Sequence, residues 1–142
     1  MAPQESTLDL DQLRREFQAV LAPWVVDLGL VLTDAVPGQA TLEMPVAASL
    51  VHAGGVLCGQ AMMAACDTAM VAAVMTHLGG FKPMTTVQLQ TSFLRPVSGD
   101  GSRIKVTARV LRMGKKLVFG EVQLTDAGGQ LAAHATTTYA LI

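Results

Sequence analysis

From Val56 to Met75 the chain carries one charged residue, Asp67, set among Ala, Met, Val and Cys. Gly54, Gly55 and Gly59 precede or open this run, and Gly79-Gly80 ends it, so it predicts one long helix entered from a glycine-rich turn. A helix apolar on nearly all sides is either a membrane span or is wrapped by the rest of its fold. The run is just long enough to cross a bilayer. Three features argue against a span: Asp67 is central, no Lys/Arg cluster flanks the run, and amphipathic strand patterns fill the rest of the chain. A wrapped helix is therefore expected, and a carboxylate on it is too costly to be incidental.

The flanking sequence supplies the wrapping. Residues 1–8 are polar and expected to be disordered. Asp9 with Gln12 fits a capping box. Leu10, Leu13, Phe17, Val20 and Leu21 recur at helical spacing, which predicts an N-terminal helix over residues 10–22, closed by Pro23 and anchored by Trp24. Leu28–Thr33 and Ala40–Met44 read as strands about a Pro37-Gly38 turn. After the central helix, Thr85–Leu94 alternates, with Val87, Leu89, Thr91 and Phe93 on one face and Thr86, Gln88, Gln90 and Ser92 on the other. Ile104–Val110, Leu117–Thr125 and Leu131–Leu141 form a meander joined by tight turns at Met113–Lys116 and Asp126–Gly129. The expected architecture is a single α+β domain over 1–142, a curved antiparallel sheet of about six strands around one helix.

Charge adds a regional signal to a net charge of −1, which itself argues against a general nucleic-acid binder. Eight of the ten Lys and Arg fall in residues 82–116 beside one acid, Asp100, whereas residues 1–81 hold eight acids. The basic segment is either a docking surface for an anionic ligand or a solvated hairpin face. Cys58 and Cys66 lie in the central run, where they cannot bridge each other, which suggests a reduced, cytoplasmic protein. No charged-then-apolar leader opens the chain, so no secretion signal is expected. His52, His77 and His134 have no metal-site spacing, so no metal is expected. No phosphate loop, dinucleotide fingerprint or Gly-x-Ser-x-Gly motif occurs.

Two features could carry chemistry. First-turn amides of the central helix lack helical partners and sit at the positive end of its dipole, where they could hold an anion or a developing oxyanion; the plainer reading is a tight turn. Asp67, seven residues after Gln60 and near the same helix face, could act as general base or nucleophile. The plainer reading is a buried Asp satisfied by neighbouring hydroxyls such as Thr86. Met62, Met63, Met70 and Met75 would line an adaptable pocket or simply fill the core.

The segment His52–Met70, HAGGVLCGQAMMAACDTAM, resembles the active-site segment of hotdog-fold acyl-CoA thioesterases of the phenylacetate-degradation (PaaI-like) type. That segment reads Asn-x-x-Gly-x-x-His-Gly-Gly, six residues, then a catalytic Asp or Glu. Gly55 and Gly59 fall on family glycines and Asp67 on the acid. His52 stands at the family Asn, Cys58 at the His, and Gln60 at the second Gly. The downstream TTVQLQTSFLRPV and the GQLAAHA around His134 are also similar to the family.

The resemblance implies a hotdog fold and hydrolysis of an acyl-CoA thioester, with coenzyme A entering only as part of the substrate. It implies that the Gly59 amide polarises the thioester carbonyl, that Asp67 activates water or attacks, that Thr86 orients water (with Thr85 as fallback), and that His52 takes over part of the missing Asn's role. Gly55, Cys58 and Gln60 would line the substrate site, and Arg95, Arg112, Lys115 and Lys116 are candidates for the coenzyme A phosphates. Alternatives are a hydratase pairing His52 with Asp67, and a non-hydrolytic acyl-CoA binder. Gly59 and Asp67 are separated by roughly 12 Å of helix rise, so a site needing both at one carbonyl implies a homodimer or a dimer of dimers.

Overall fold

The computed structural model describes residues 9–142; the disorder expected for residues 1–8 lies outside them. Helix α1, Leu10–Val20, starts at Asp9, whose side chain accepts from the Asp11 and Gln12 amides. Gln12 does not return the bond as a capping box would; its amide donates to Glu16. Pro23 does not close α1. It opens a second, four-residue helix α2, Pro23–Val26, a position where its missing N–H costs nothing. The segment predicted as one helix is thus an elbow, and Trp24 on it is 62% exposed rather than an anchor.

Strands β1, Val31–Val36, and β2, Gln39–Pro45, form a hairpin. A 3-10 turn, Ala48–Leu50, leads to helix α3, Gly59–Leu78. The chain then builds β3, Met84–Phe93, and the meander β4, Arg103–Met113, β5, Leu117–Thr125, and β6, Leu131–Leu141. All pairings are antiparallel in one sheet of order β1-β2-β4-β5-β6-β3. This is the hotdog architecture. α3 starts three residues later than the apolar run, and it ends where Gly79 adopts the left-handed conformation and donates to the Met75 carbonyl, as a C-terminal glycine does.

α3 packs against all six strands. It has the length and apolarity of a membrane span, yet the sheet's inner residues cover most of it: Leu42 and Met44, Ile104 and Val106, Val122 and Leu124 are all buried. The cover is incomplete. Gln60, Met63, Ala64, Asp67 and Val71 form a stripe along α3 that stays partly or fully exposed, so the expectation of a helix wrapped on every side fails along one face.

The two sheet edges differ. At the β1 edge, Arg14 Nε donates to the Leu32 carbonyl at 2.6 Å and Gln18 Nε2 to the carbonyl of Leu30, just before the strand, at 2.9 Å. Side chains of α1 thereby occupy acceptors that a foreign strand would need. At β3 no element of the described chain covers the outer edge.

Sheet and helix approach closely at Gly120 on β5. A Cβ there would overlap the Met70 thioether and lie 2.9 Å from the Arg109 carbonyl. Gly120→Ala is therefore expected to destabilise the protein by ~1–3 kcal/mol through overpacking, measured by urea unfolding, with the added Met70→Ala change recovering part of the loss.

Candidate active site

Asp67 sits in the open stripe of α3, half-buried rather than sunk in the core. Two hydroxyls converge on the same oxygen of its carboxylate. Thr86 Oγ1 donates to Oδ1 at 2.9 Å. Tyr139 Oη lies 2.5 Å from Oδ1 and 2.7 Å from the Asp67 carbonyl, so its one proton is shared between them. Two donors on Oδ1 fix the side chain's rotation and leave Oδ2 as the oxygen free to act. The plainer reading, a carboxylate satisfied by nearby hydroxyls, is thus partly realised, but at a cleft mouth.

Thr86 reaches Asp67 because of a β-bulge. In the β3–β6 ladder Thr86 pairs with Tyr139 and Gln88 with Thr138, leaving Val87 as the extra residue. Strict alternation would turn Thr86 away from the helix with Gln88. The bulge instead gives Thr86 the helix side along with the partly buried Leu89 and Thr91, and leaves Val87 59% exposed. Re-aiming a side chain is a common use of bulges beside sites. Thr137 Oγ1 donates to the Gln88 carbonyl at 2.8 Å and supports the backbone there.

Tyr139 escaped the sequence reading. It is the only tyrosine of the chain and is 2% exposed. Inward alternation in β6 with Ala133, Ala135 and Thr137 was its available signal, since a buried phenol needs a partner for its hydroxyl. Burial, followed by the Asp67 charge, pushes its phenol well above the ordinary tyrosine range, so it stays a donor.

At the other end of the stripe, Gly59 is the first residue of α3 and the N-cap Cys58 makes no side-chain cap. The first amides therefore point outward without helical partners. They border a cleft of about 300 Å³ lined by Leu57, Gly59, Met62, Phe93 and Arg95. Gln60, exposed, continues the stripe toward Asp67. Gly55 belongs to the preceding loop, tied by its carbonyl to Gly99. His52 is in the same loop; its Nδ1 accepts from the Gly54 amide at 2.9 Å, which serves the turn and pairs it with nothing on Asp67. Of the four methionines considered, Met62, Met70 and Met75 are buried and Met63 is 39% exposed.

The basic segment does not form one surface. Arg95 lies at the Gly59 end, with Nη1 donating to Gln130 Oε1 at 2.6 Å. Arg112, Lys115 and Lys116 are exposed at the opposite end of the sheet, where the Lys116 carbonyl accepts from Leu141 beside the start of β3. Arg109 instead pairs with Glu121, which His134 also contacts, and these bonds hold the Glu121 carboxyl below its usual range. Among the described residues no group of three His, Cys, Asp or Glu could hold a metal ion.

Comparison with known proteins adds an independent finding. A family model described as the thioesterase superfamily matches residues 54–133. Human acyl-coenzyme A thioesterase 13 is 31% identical over 125 residues, covering 87% of this chain and 84% of its own. The crystal structure of zebra fish thioesterase superfamily member 2 superposes with a TM-score of 0.82 at 28% identity, covering 94% of this chain and 98% of that one. The PaaI protein of the E. coli phenylacetic acid degradation operon shares the fold, with a TM-score of 0.81 at 18% identity over 94% of this chain and 95% of its own.

The two cysteines are unpaired and differ in access. Burial, reinforced by the Asp67 charge, pushes the Cys66 thiol up to about 12, whereas Cys58 is partly exposed. An aromatic disulfide reagent at pH 8 is expected to titrate Cys58 alone in the native protein and both thiols in denaturant, because only thiolates react. Rapid native labelling of Cys66, identified by peptide mass, would contradict its burial.

Proposed function

The chain belongs to the thioesterase superfamily and is a thioester hydrolase, and from that premise we propose that it cleaves acyl-coenzyme A with Asp67 as the acting acid. The observation that carries this reading is the Asp67 carboxylate, held on one oxygen by Thr86 and Tyr139 at the mouth of a cleft. The name of the human relative supports coenzyme A as the thiol.

In this mechanism Oδ2 either takes a proton from water as that water attacks the thioester carbon, or attacks the carbon itself. Water attack yields the tetrahedral anion directly; direct attack yields a mixed anhydride that water then opens. In both, the carbonyl oxygen gains negative charge. In the first route the proton taken up by Oδ2 passes to the departing sulfur; in the second, coenzyme A leaves as the thiolate and is protonated by the proton released when water opens the anhydride. The uncapped Gly59 amide is a donor of the right kind for that oxygen. Thr86 and Tyr139 act as positioning residues. The Thr86 proton goes to Asp67, and its oxygen keeps lone pairs that can accept from the attacking water, the role expected for it. Arg95 lies beside the oxyanion cleft and Arg112, Lys115 and Lys116 lie near the β3 start, so phosphate contacts from either end remain part of this reading. Within one chain nothing among the described residues brings His52 to Asp67: its Nδ1 accepts from the Gly54 amide, so the hydratase pairing has no contact in its favour. The unpaired thiols suit a cytoplasmic setting.

The site is read as shared between two subunits. Gly59 and Asp67 stand roughly 12 Å apart along one axis, while an oxyanion donor and a base must each come within ~3 Å of one thioester. Two α3 helices crossing antiparallel about a two-fold axis bring each Gly59 toward the partner's Asp67. The uncovered β3 edge and the exposed Met63, Val87, Phe93 and Leu94 beside it supply a surface for that contact. A dimer of dimers is compatible with the same pairing.

Asp67→Asn is expected to lower kcat at least ~100-fold with the fold retained. Tyr139→Phe removes a hydrogen bond to a charged group, worth ~1.5–3 kcal/mol, and should lower kcat roughly ten- to a hundredfold while KM changes little. Near wild-type turnover of Asp67→Asn, measured as thiol release, would refute its assignment.

Subunit sharing has a separate test by complementation. Inactive Asp67→Asn protein mixed with Gly59→Val protein, whose side chain meets the Phe93 ring, should recover up to about a quarter of wild-type activity after random exchange. No recovery despite proven exchange, or a fully active monomer, would sink the shared site.

A further inference from the structure

Asp67 opens onto a second cleft, about 270 Å³ in volume, whose far wall lies outside the segments that carry the family resemblance. Asp67, Thr86 and Tyr139 stand at one end. Val71 of α3 and Met84 of β3 continue from them, and the far wall is the α1–α2 elbow with Val20, Leu21, Ala22 and Val25, joined by Phe81. We propose that this cleft holds the acyl group, and that the elbow and Phe81 select a neutral, apolar acyl group of short to medium length or a single ring. The proposal rests on Asp67 acting at the thioester carbon.

Three observations support it. The lining carries no Lys, Arg or His, and its only charged group is Asp67. An acyl group ending in a second carboxylate would sit unpaired beside that acid, a costly arrangement. The side chains beyond Asp67 are aliphatic or aromatic apart from the Thr68 and Thr85 hydroxyls, so the two amides of a pantetheine arm would find few partners there. The volume lies at the lower edge of the ~300–1,000 Å³ of pockets for drug-sized ligands, which disfavours a long chain folded inside it.

The placement of the wall explains two otherwise wasteful exposures. Val20 is 36% and Phe81 42% exposed, though neither faces the core cluster. Both border the cleft, where a bound acyl group would cover them. The bend at Pro23 brings Val20 and Leu21 from one helix and Val25 from the next onto the same cavity. Selection would thus reside in an elbow separate from α3 and β3, which carry the acting groups.

The test uses saturated acyl-CoAs from acetyl to dodecanoyl, with benzoyl-CoA and succinyl-CoA, on wild type, Ala22→Phe and Phe81→Ala, each checked for an unchanged thermal midpoint. In wild type, butyryl-CoA should exceed succinyl-CoA in kcat/KM by at least about tenfold. Ala22→Phe narrows the far end, so the octanoyl-to-acetyl ratio of kcat/KM should fall about tenfold. Phe81→Ala opens it and should move the optimum to longer chains. Affinities for the same series, read from the fluorescence of Trp24 on the elbow with coenzyme A as control, should shift in parallel. If both variants scale every substrate by one factor, or if succinyl-CoA equals butyryl-CoA, the assignment of the cleft is overturned. If wild type hydrolyses none of the series, the reading of Asp67 fails instead, and the chain-length dependence of affinity still decides the cleft.

Discussion

An apolar helix with no polar face has to be covered on every side, and a single sheet can curve around only part of its circumference. That mismatch organises this molecule. The inner faces of β2, β4, β5 and β6 remove most of α3 from water, with Met70 pressed against Gly120. What the sheet cannot reach is the stripe from Gln60 to Val71. The only charge on the helix lies in that stripe, so the place where coverage fails is also the place where a carboxylate can be half-solvated and still be gripped by Thr86 and Tyr139.

The same economy is visible at the sheet edges. β1 is an edge strand, and α1 occupies a carbonyl in it through Arg14 and the carbonyl just before it through Gln18. The helix therefore protects one border against unintended pairing, while its C-terminal elbow reaches the cleft beside Asp67. β3 has no such guard and carries large apolar side chains next to the open stripe. In the proposed dimer these two uncovered features belong to one surface, and the asymmetry of the edges sets which one is available.

Much of this was legible in the sequence. The hydrophobic run, the terminating glycines and the period-2 strands identify a helix within an antiparallel sheet, and a lone acid on such a helix singles out Asp67. Other features depend on distances that no local pattern contains. Pro23 reads as the end of one helix, but proline suits the first position of the next just as well, and there it stands. The clustering of Lys and Arg in sequence leaves open a docking surface or a solvated hairpin face, and the length of β4 carries Lys115 to the opposite end of the sheet from Arg95. Tyr139 is seventy-two residues from Asp67, and nothing short of the assembled sheet joins them.

The bulge at Val87 makes the carboxylate's surroundings depend on counting. With Val87 squeezed out of the ladder, Thr86 and Leu89 share the helix side of β3. If the strand slid by one residue to straighten the pleat, the parity of everything before Gln88 would invert, and Thr85 rather than Thr86 would face α3. Loss of a single residue at the bulge, by contrast, would flatten the strand and leave Thr86 where it is. The site is thus indifferent to one kind of change in chain length and sensitive to a shift in register that alters no residue at all, so comparisons along this strand are meaningful only when gaps are placed by ladder position rather than by matching letters.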